Sequence, residues 1–330
     1  MWYISFRGES HGGVNNILVY HDSGKPHSTP DLLPTGGPNP PLKELRGFAI
    51  VGSLLYVVNA NKGYSQILLY EADESGRYSP ASEPIFASKE RVNSILHPFD
   101  LTFDTEGNCY VSSQDTNVVT ALQSANKPLP VASYLQQRYP PPDQFLAGTV
   151  VASCVGALPL TPTPYPPNVP LPQGLDVSFT DSTDTEVANS VRGVVSYNGY
   201  LYVADEPADA VKVYDGKTGE LFGQIEGSKL SAPVHLLLHG KVLYIGSTGN
   251  DSVVCYDLSN GAPSGIVAPM KFIDDEVKHV SGLAFAPDRH FYAAERHAKK
   301  IKKFTSTGKK VGDFITNLPD EPEFILYVPK

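Results

Sequence analysis

Residues 97–111 read HPFDLTFDTEGNCYV, and this stretch decides the fold. An apolar strand begins at Pro98, a polar turn follows, and a second strand ends in Tyr110-Val111. A third apolar strand at residues 118–121 completes the unit. Short strands that are separated by Gly-containing turns at even spacing are typical of all-β sandwiches, barrels and propellers.

The same unit recurs along the chain, with its clearest copies at residues 46–70, 97–121, 192–214, 232–256 and 281–304. The third strands end at positions 20, 70, 121, 214, 256 and 304, in steps of 50, 51, 93, 42 and 48 residues. Four of these steps match a propeller blade of roughly 40–50 residues. The pattern therefore predicts an all-β fold in one domain, residues 1–330: a six-bladed β-propeller of four-stranded antiparallel blades.

The sixth copy is split between the two ends of the chain. The N-terminus supplies the strands Trp2–Phe6 and Ile17–Tyr20, and the C-terminal stretch Glu321–Tyr327 reads as the missing first strand. A C-terminal strand that completes the N-terminal blade closes the ring and leaves no open seam. We therefore expect residues 321–327 to pair with residues 2–6.

The long step contains one blade and a Pro-rich insertion, residues 139–187, between blades 3 and 4. Prolines exclude central strands, and we expect a long loop that covers the channel mouth as a lid. A degenerate seventh blade is the alternative.

Composition limits the partners. The formal net charge is −9, which argues against nucleic acid or an anionic membrane as a partner. The chain opens on a strand pattern rather than a secretory leader, and its longest uncharged run is too short to span a bilayer. We expect a cytoplasmic monomer or weak dimer that binds a small molecule.

The repeat at residues 97–111 resembles an NHL-type repeat, and it is similar to blades of the senescence-marker/gluconolactonase and strictosidine-synthase-like propellers. The resemblance implies the six-bladed fold. In the lactonase-type members, acidic and amide side chains at the entrances of the first strands hold a divalent cation. The residues at these entrances, taken as those before the first Gly or Pro of each copy, are Arg46, His97, Arg192, Ala232, Ser281 and Glu321. Guanidinium groups offer no oxygen ligand, so we expect neither a metal nor another cofactor.

These positions suggest a small-molecule site at the mouth of the channel. Arg46 and Arg192 would bind and polarise an oxygen, and His97 or His235 would act as the acid or base. The substrate contacts would come from Glu321, Asp100, Ser281, Phe48, Phe99, Phe324, His11, Asp205 and Glu295. We therefore predict a metal-independent enzyme of cyclase, pericyclase, isomerase or lyase type. Similar propellers occur in fungal natural-product pathways, and some of them are hetero-Diels–Alderases. By analogy, we expect this enzyme to act in natural-product biosynthesis.

Two other functions stay open. The first is a metal-dependent lactonase or hydrolase of gluconolactonase type, with the ion displaced towards Glu321, Asp100 and His97. The second is a non-catalytic propeller that binds a protein or a ligand. Structural ion pairing among Arg46, Arg192 and Glu321 is the competing interpretation of those charged residues.

Overall fold

Strands make up nearly all of the regular structure in the computed structural model. The structure describes residues 1–8, 13–36, 39–92, 94–122, 150–155, 190–216, 219 and 221–329, and for 150–155 the backbone alone. In these ranges the only helical element is a short 3-10 turn, Thr248–Asn250. No helix in the described ranges is long and apolar enough to cross a membrane.

The strands form six sheets, one for each blade. Blade 1 contains β1 (Trp2–Phe6), β2 (Leu18–Tyr20), β3 (Pro26–Asp31) and the last strand of the chain, β25 (Pro322–Tyr327). Blade 2 contains β4 (Leu45–Val51), β5 (Leu54–Asn59), β6 (Gln66–Ala72) and β7 (Tyr78–Ser88). Blade 3 contains β8 (Pro98–Phe103), β9 (Cys109–Ser113), β10 (Val118–Leu122) and β11 (Val150–Val155).

The second half of the chain forms the other three blades. Blade 4 contains β12 (Val191–Tyr197), β13 (Tyr200–Asp205), β14 (Ala210–Asp215) and β15 (Leu221–Glu226). Blade 5 contains β16 (Pro233–His239), β17 (Val242–Ser247), β18 (Ser252–Asp257) and β20 (Met270–Ile273). Blade 6 contains β21 (Val280–Phe285), β22 (Phe291–Glu295), β23 (Lys300–Phe304) and β24 (Lys310–Ile315). The remaining strand, β19 (Gly265–Val267), adds a parallel fifth strand to the outer edge of blade 4.

The predicted closure of the ring is confirmed. Strand β1 pairs antiparallel with β25, with Trp2 opposite Tyr327 and Ile4 opposite Ile325. The amide of Arg7 also donates to the carbonyl oxygen of Glu321 at 2.9 Å. The N-terminal blade is therefore completed by the C-terminus, and both fold class and blade number agree with the repeat.

Apolar clusters fill the spaces between neighbouring blades all the way round. The cluster between blades 6 and 1 joins the ends of the chain, where the Trp2 ring lies 4.4 Å from the ring of Tyr292. Equivalent clusters lie between the other neighbouring pairs. Because neighbouring blades cover each other's faces, the alternating apolar residues of the inner strands have a partner surface.

The predicted insertion, residues 139–187, contains one strand of the propeller and is therefore not a loop throughout. Residues 150–155 form the fourth strand of blade 3, paired with β10, so this part of 139–187 belongs to the propeller. Its sequence, VVASCV, is rich in β-branched residues, and β10 offers it an unpaired edge. The remaining residues of the insertion, and with them the expected lid, lie outside the described residues.

Candidate functional site

The first strands of the blades contact one another in order around the axis, and all six share one irregularity. In each, the register with the second strand shifts near the point where the strand enters the ring. This common bulge aligns the blades residue by residue. The residues at the bulge are named here the first ring: Arg46, Phe99, Arg192, Val234, Ser281 and Glu323. The residues one position further along form the second ring: Gly47, Asp100, Gly193, His235, Gly282 and Phe324.

This alignment corrects three predicted positions: His97, Ala232 and Glu321 each lie two residues before the first ring. Phe99, Val234 and Glu323 are the residues that occupy the ring in those blades. Copies that begin with Gly were aligned correctly, whereas copies that begin with Pro were shifted by two residues. The distance along the sequence to the Tyr of the second strand could have identified the ring residues. It is 10 residues from Arg46 to Tyr56 and 11 residues from Phe99 to Tyr110.

Glycine alternates with larger residues in the second ring, and packing explains the alternation. A Cβ atom on Gly193 would lie 2.8 Å from the carbonyl oxygen of Val234, and one on Gly282 would lie 2.9 Å from the amide nitrogen of Ile325. A Cβ atom on Gly47 would collide with the Asp100 carboxyl group. The three glycines therefore make room for Asp100, His235 and Phe324.

Replacing Gly193 by alanine is expected to destabilise the protein by about 1–3 kcal/mol, because the new methyl group meets backbone atoms that cannot move aside. Gly63→Ala is the matched control, since its Cβ would meet only the Asn61 side-chain oxygen, at 3.1 Å. Urea unfolding monitored by fluorescence measures both variants. Equal stabilities would contradict the packing explanation.

Glu323 is the carboxylate of the first ring and is fully buried. Nη1 of Arg46 lies 2.5 Å from one carboxylate oxygen, and Nη2 of Arg296 donates to the other at 2.9 Å. Burial alone would raise the pKa of Glu323, but the two guanidinium groups outweigh it and hold that pKa below its ordinary value. Sequence reasoning missed both Glu323 and Arg296.

Arg46 also binds Glu44, whose Oε1 accepts from Nη2 at 2.6 Å. The same oxygen lies 3.2 Å from Nε2 of His97, and Nδ1 of His97 lies 3.0 Å from Asp115. Burial alone would lower the pKa of His97, but the bonds with Asp115 and Glu44 raise it. His97 is therefore held between two carboxylates beside the first ring, with a left-handed backbone at φ 52°.

Arg192 is the first-ring cation with the fewest contacts in the described structure. Its Nε donates to Glu206 at 2.6 Å, and its guanidinium lies over the Phe99 ring, 5.2 Å from the centroid. Arg46 lies 5.8 Å from the same centroid. Burial lowers the pKa of Arg192 despite Glu206. The structure thus brings Arg46 and Arg192 together over Phe99.

Several other residues that were predicted to contact the substrate bind protein groups in the structure. Glu321 pairs with Arg7 at 3.2 Å, and Ser281 donates to the carbonyl oxygen of Pro322 at 2.6 Å. Asp205 and Glu295 are buried inside their blades, where they pair with Lys212 and Lys302, each at 3.0 Å. His11 lies outside the described residues.

A cavity of about 600 Å³ lies beyond the second ring. Asp100, His235 and Phe324 line its inner end, and its walls follow the first strands towards their turns with the second strands. Phe99, Val234 and Phe324 form an apolar cluster with Phe48 packed against it. The cavity is therefore at the end of the channel opposite the first ring, and not at the mouth favoured by the sequence.

Asp100 joins blade 3 to blade 4. Its carboxyl oxygens accept from the amides of Leu101 at 2.8 Å and Val194 at 3.1 Å. Burial nevertheless raises the pKa of Asp100 to about 7, because the two amides offset only part of the lost hydration. A protonated Asp100 can donate a hydrogen bond into the cavity near neutral pH.

His235 is buried against the Phe324 ring, with the two centroids 4.7 Å apart. Its Nδ1 has no hydrogen-bond partner among the described residues. Burial lowers the pKa of His235 to about 4, and Glu323 offsets this only in part. The imidazole is therefore neutral at pH 7, and its Nδ1 is a buried atom without a partner in the described part of the chain.

The first ring does not fit the divalent cation that the resemblance implies. Glu323 is its one carboxylate, and two arginines already occupy both of that carboxylate's oxygens. Arg46 and Arg192 contribute positive charge where the ion would need oxygen ligands. Among the residues that the structure describes, no group of three or more His, Cys, Asp or Glu side chains is arranged to hold a metal ion.

No protein-family model and no curated protein matches the chain. Solved structures are similar to it. A Bacteroides uniformis protein, provisionally described as a 6-phosphogluconolactonase, is 14% identical over 96% of this chain and 83% of that chain, with a TM-score of 0.55. Virginiamycin B lyase from Staphylococcus aureus is 11% identical over 85% of this chain and 73% of that chain, with a TM-score of 0.49.

At such identities the likeness bears on the fold alone. The Bacteroides protein supports the architecture that the sheets and their register show directly. The chain is a six-bladed β-propeller, closed by its own C-terminal strand, as the repeat predicted.

Proposed function

We propose that this propeller is a metal-independent enzyme that acts on a small oxygenated molecule in the channel cavity, by acid–base chemistry of the lyase, isomerase or cyclase type. One observation carries the proposal: two buried titratable residues, Asp100 and His235, line the same apolar cavity. A concave, mostly apolar pocket with a few polar groups is the usual form of a small-molecule site.

The environments of the two residues assign their roles. Asp100 is the acid, because burial keeps its carboxyl group protonated to about pH 7. His235 is the base, because burial keeps its imidazole neutral. Its Nδ1 is itself buried, so we assign proton transfer to Nε2, in the tautomer that is protonated on Nδ1. Titratable groups whose pKa values are pushed apart in this way are typical of acid–base pairs.

Such a pair can catalyse a reaction without a co-reactant. Asp100 would donate its proton to a substrate oxygen, and His235 would accept one from a carbon or hydroxyl of the same molecule. The protein keeps its total number of protons, so the step converts or cleaves the substrate without oxidation. Arg46, Arg192 and His97 would then stabilise the structure of the opposite mouth of the channel and would not contact the reacting atoms.

The test is turnover of a pool of uncharged ketones, enones, lactones and hydroxy ketones, followed by mass spectrometry in the presence of a chelator. We expect His235→Phe, which keeps a ring of similar shape, to lower turnover at least 100-fold, the usual contribution of a general acid or base. His290→Phe is the control, since His290 lies in an exposed turn of blade 6. A fully active His235→Phe variant would contradict the proposal, and turnover that requires a metal would favour the lactonase.

A further inference from the structure

Among its described lining residues, the cavity has no cationic side chain other than histidine. Its lining contains no Lys, Arg or Glu, and its ionisable side chains are Asp100, His235, His239 and Tyr327. Arg46 and Arg192 lie over the Phe99 ring in the first ring, and neither lines the cavity. An anionic ligand would therefore meet a carboxyl group and no cation.

The remaining wall is apolar. Leu101, Val194, Leu236, Leu283 and Ile325 contribute to it, and Phe324 closes its inner end. Thr102 and Ser196, which carry hydroxyl groups, also line the cavity. Moving an unpaired charge into such surroundings is strongly unfavourable, whereas an oxygen that accepts a hydrogen bond from Asp100 is not.

We infer that the cavity selects an uncharged, mainly apolar molecule that carries at least one carbonyl, ester or hydroxyl oxygen. This inference rests on the proposed function and narrows its substrate class. It excludes sugar phosphates and other anions from the cavity, because no described lining residue could neutralise them. It also disfavours ammonium compounds, since Asp100 would have to ionise in an apolar site to pair with them.

Three probes with the same ring skeleton test the selection: methyl 2-naphthoate, 2-naphthoate and 2-naphthylmethylammonium. They are compared at pH 5.5, where Asp100 is protonated and His235 is neutral. Binding is titrated by saturation-transfer NMR on the full chain. We expect the ester to bind at least tenfold more tightly than either ion. Ser196→Trp, which places a large ring in the cavity, should weaken ester binding at least tenfold, and Ser196→Leu should do so less strongly.

Val311→Trp is the matched control, because it adds the same ring at a position that is 54% exposed on blade 6. It should leave ester binding unchanged. The inference is overturned if either ion binds as tightly as the ester, if the ester does not bind, or if Ser196→Trp and Ser196→Leu both bind it like the wild type. The proposed function is judged separately, since its readout is turnover in His235→Phe.

Discussion

Replacing Glu323 by glutamine is expected to destabilise the protein by about 3–5 kcal/mol, the usual cost of removing one partner from a buried ion pair. The carboxylate is fully buried and bridges Arg46 to Arg296, so the variant leaves two guanidinium groups without their shared anion. Arg46 would keep Glu44, at 2.6 Å, but Arg296 has no other ion pair in the described structure. The size of the loss follows from burial, because water cannot replace the missing charge.

Glu321→Gln is the matched control, two residues away on the same segment. Its side chain is 24% exposed and pairs with Arg7, which is 38% exposed, so the loss should be no more than about 1 kcal/mol. Urea unfolding at pH 7 measures both variants against the wild type. If the two variants lose equal stability, the alignment that places Glu323 rather than Glu321 in the first ring is wrong.

Asp100→Asn and His235→Phe are expected to change the pH dependence of stability in opposite directions. In the native protein Asp100 binds a proton up to about pH 7, whereas in the unfolded chain it loses that proton near pH 4. Its contribution to stability is therefore present at low pH and is lost as the pH rises from about 4 to 7. His235 has the opposite sign, because it is protonated below about pH 6.5 when unfolded but only below about pH 4 when folded.

In the wild type, Asp100 and His235 change the free energy of unfolding with pH in opposite directions, each by at most about 1.4 kcal/mol per pH unit. In Asp100→Asn only the contribution of His235 remains, so stability should rise between pH 4 and 6.5. In His235→Phe only the contribution of Asp100 remains, so stability should fall between pH 4 and 7. Each change is on the order of 3 kcal/mol, and it is measured by urea unfolding at half-unit steps of pH. Parallel pH profiles for the two variants would show that at least one of the groups is not buried as described.

The sequence predicted the fold because the information that sets it is local and repeated. The Tyr-Val ending of the second strand and the apolar alternation of each copy are visible without knowing any contact. The split copy at residues 2–20 and 321–327 even predicted the pairing of β1 with β25. A parallel strand such as β19 has no repeat partner, so no periodic signal could have indicated it.

The candidate site was harder to predict, because side-chain direction depends on register. His97 and Glu321 are two residues away from Phe99 and Glu323, and the shared bulge decides which residue enters the ring. Arg296 follows a second strand in another blade, and only the closed ring brings it to Glu323. Asp205 and Glu295 are the last residues of the second strands in their own blades, yet lysines of their own sheets bind them.

The sequence by itself determined that this protein is a closed ring of six blades, since strand periodicity, turn residues and a split repeat are properties of neighbouring residues. The tertiary structure alone decided which side chains meet at the axis and what charge each one carries. Asp100 keeps its proton up to about pH 7 and His235 is neutral there because burial removes water from both, while Glu323 stays ionised because two arginines from different blades reach it. Burial and distance between remote segments are properties of the folded ring, and they set the chemistry of its channel.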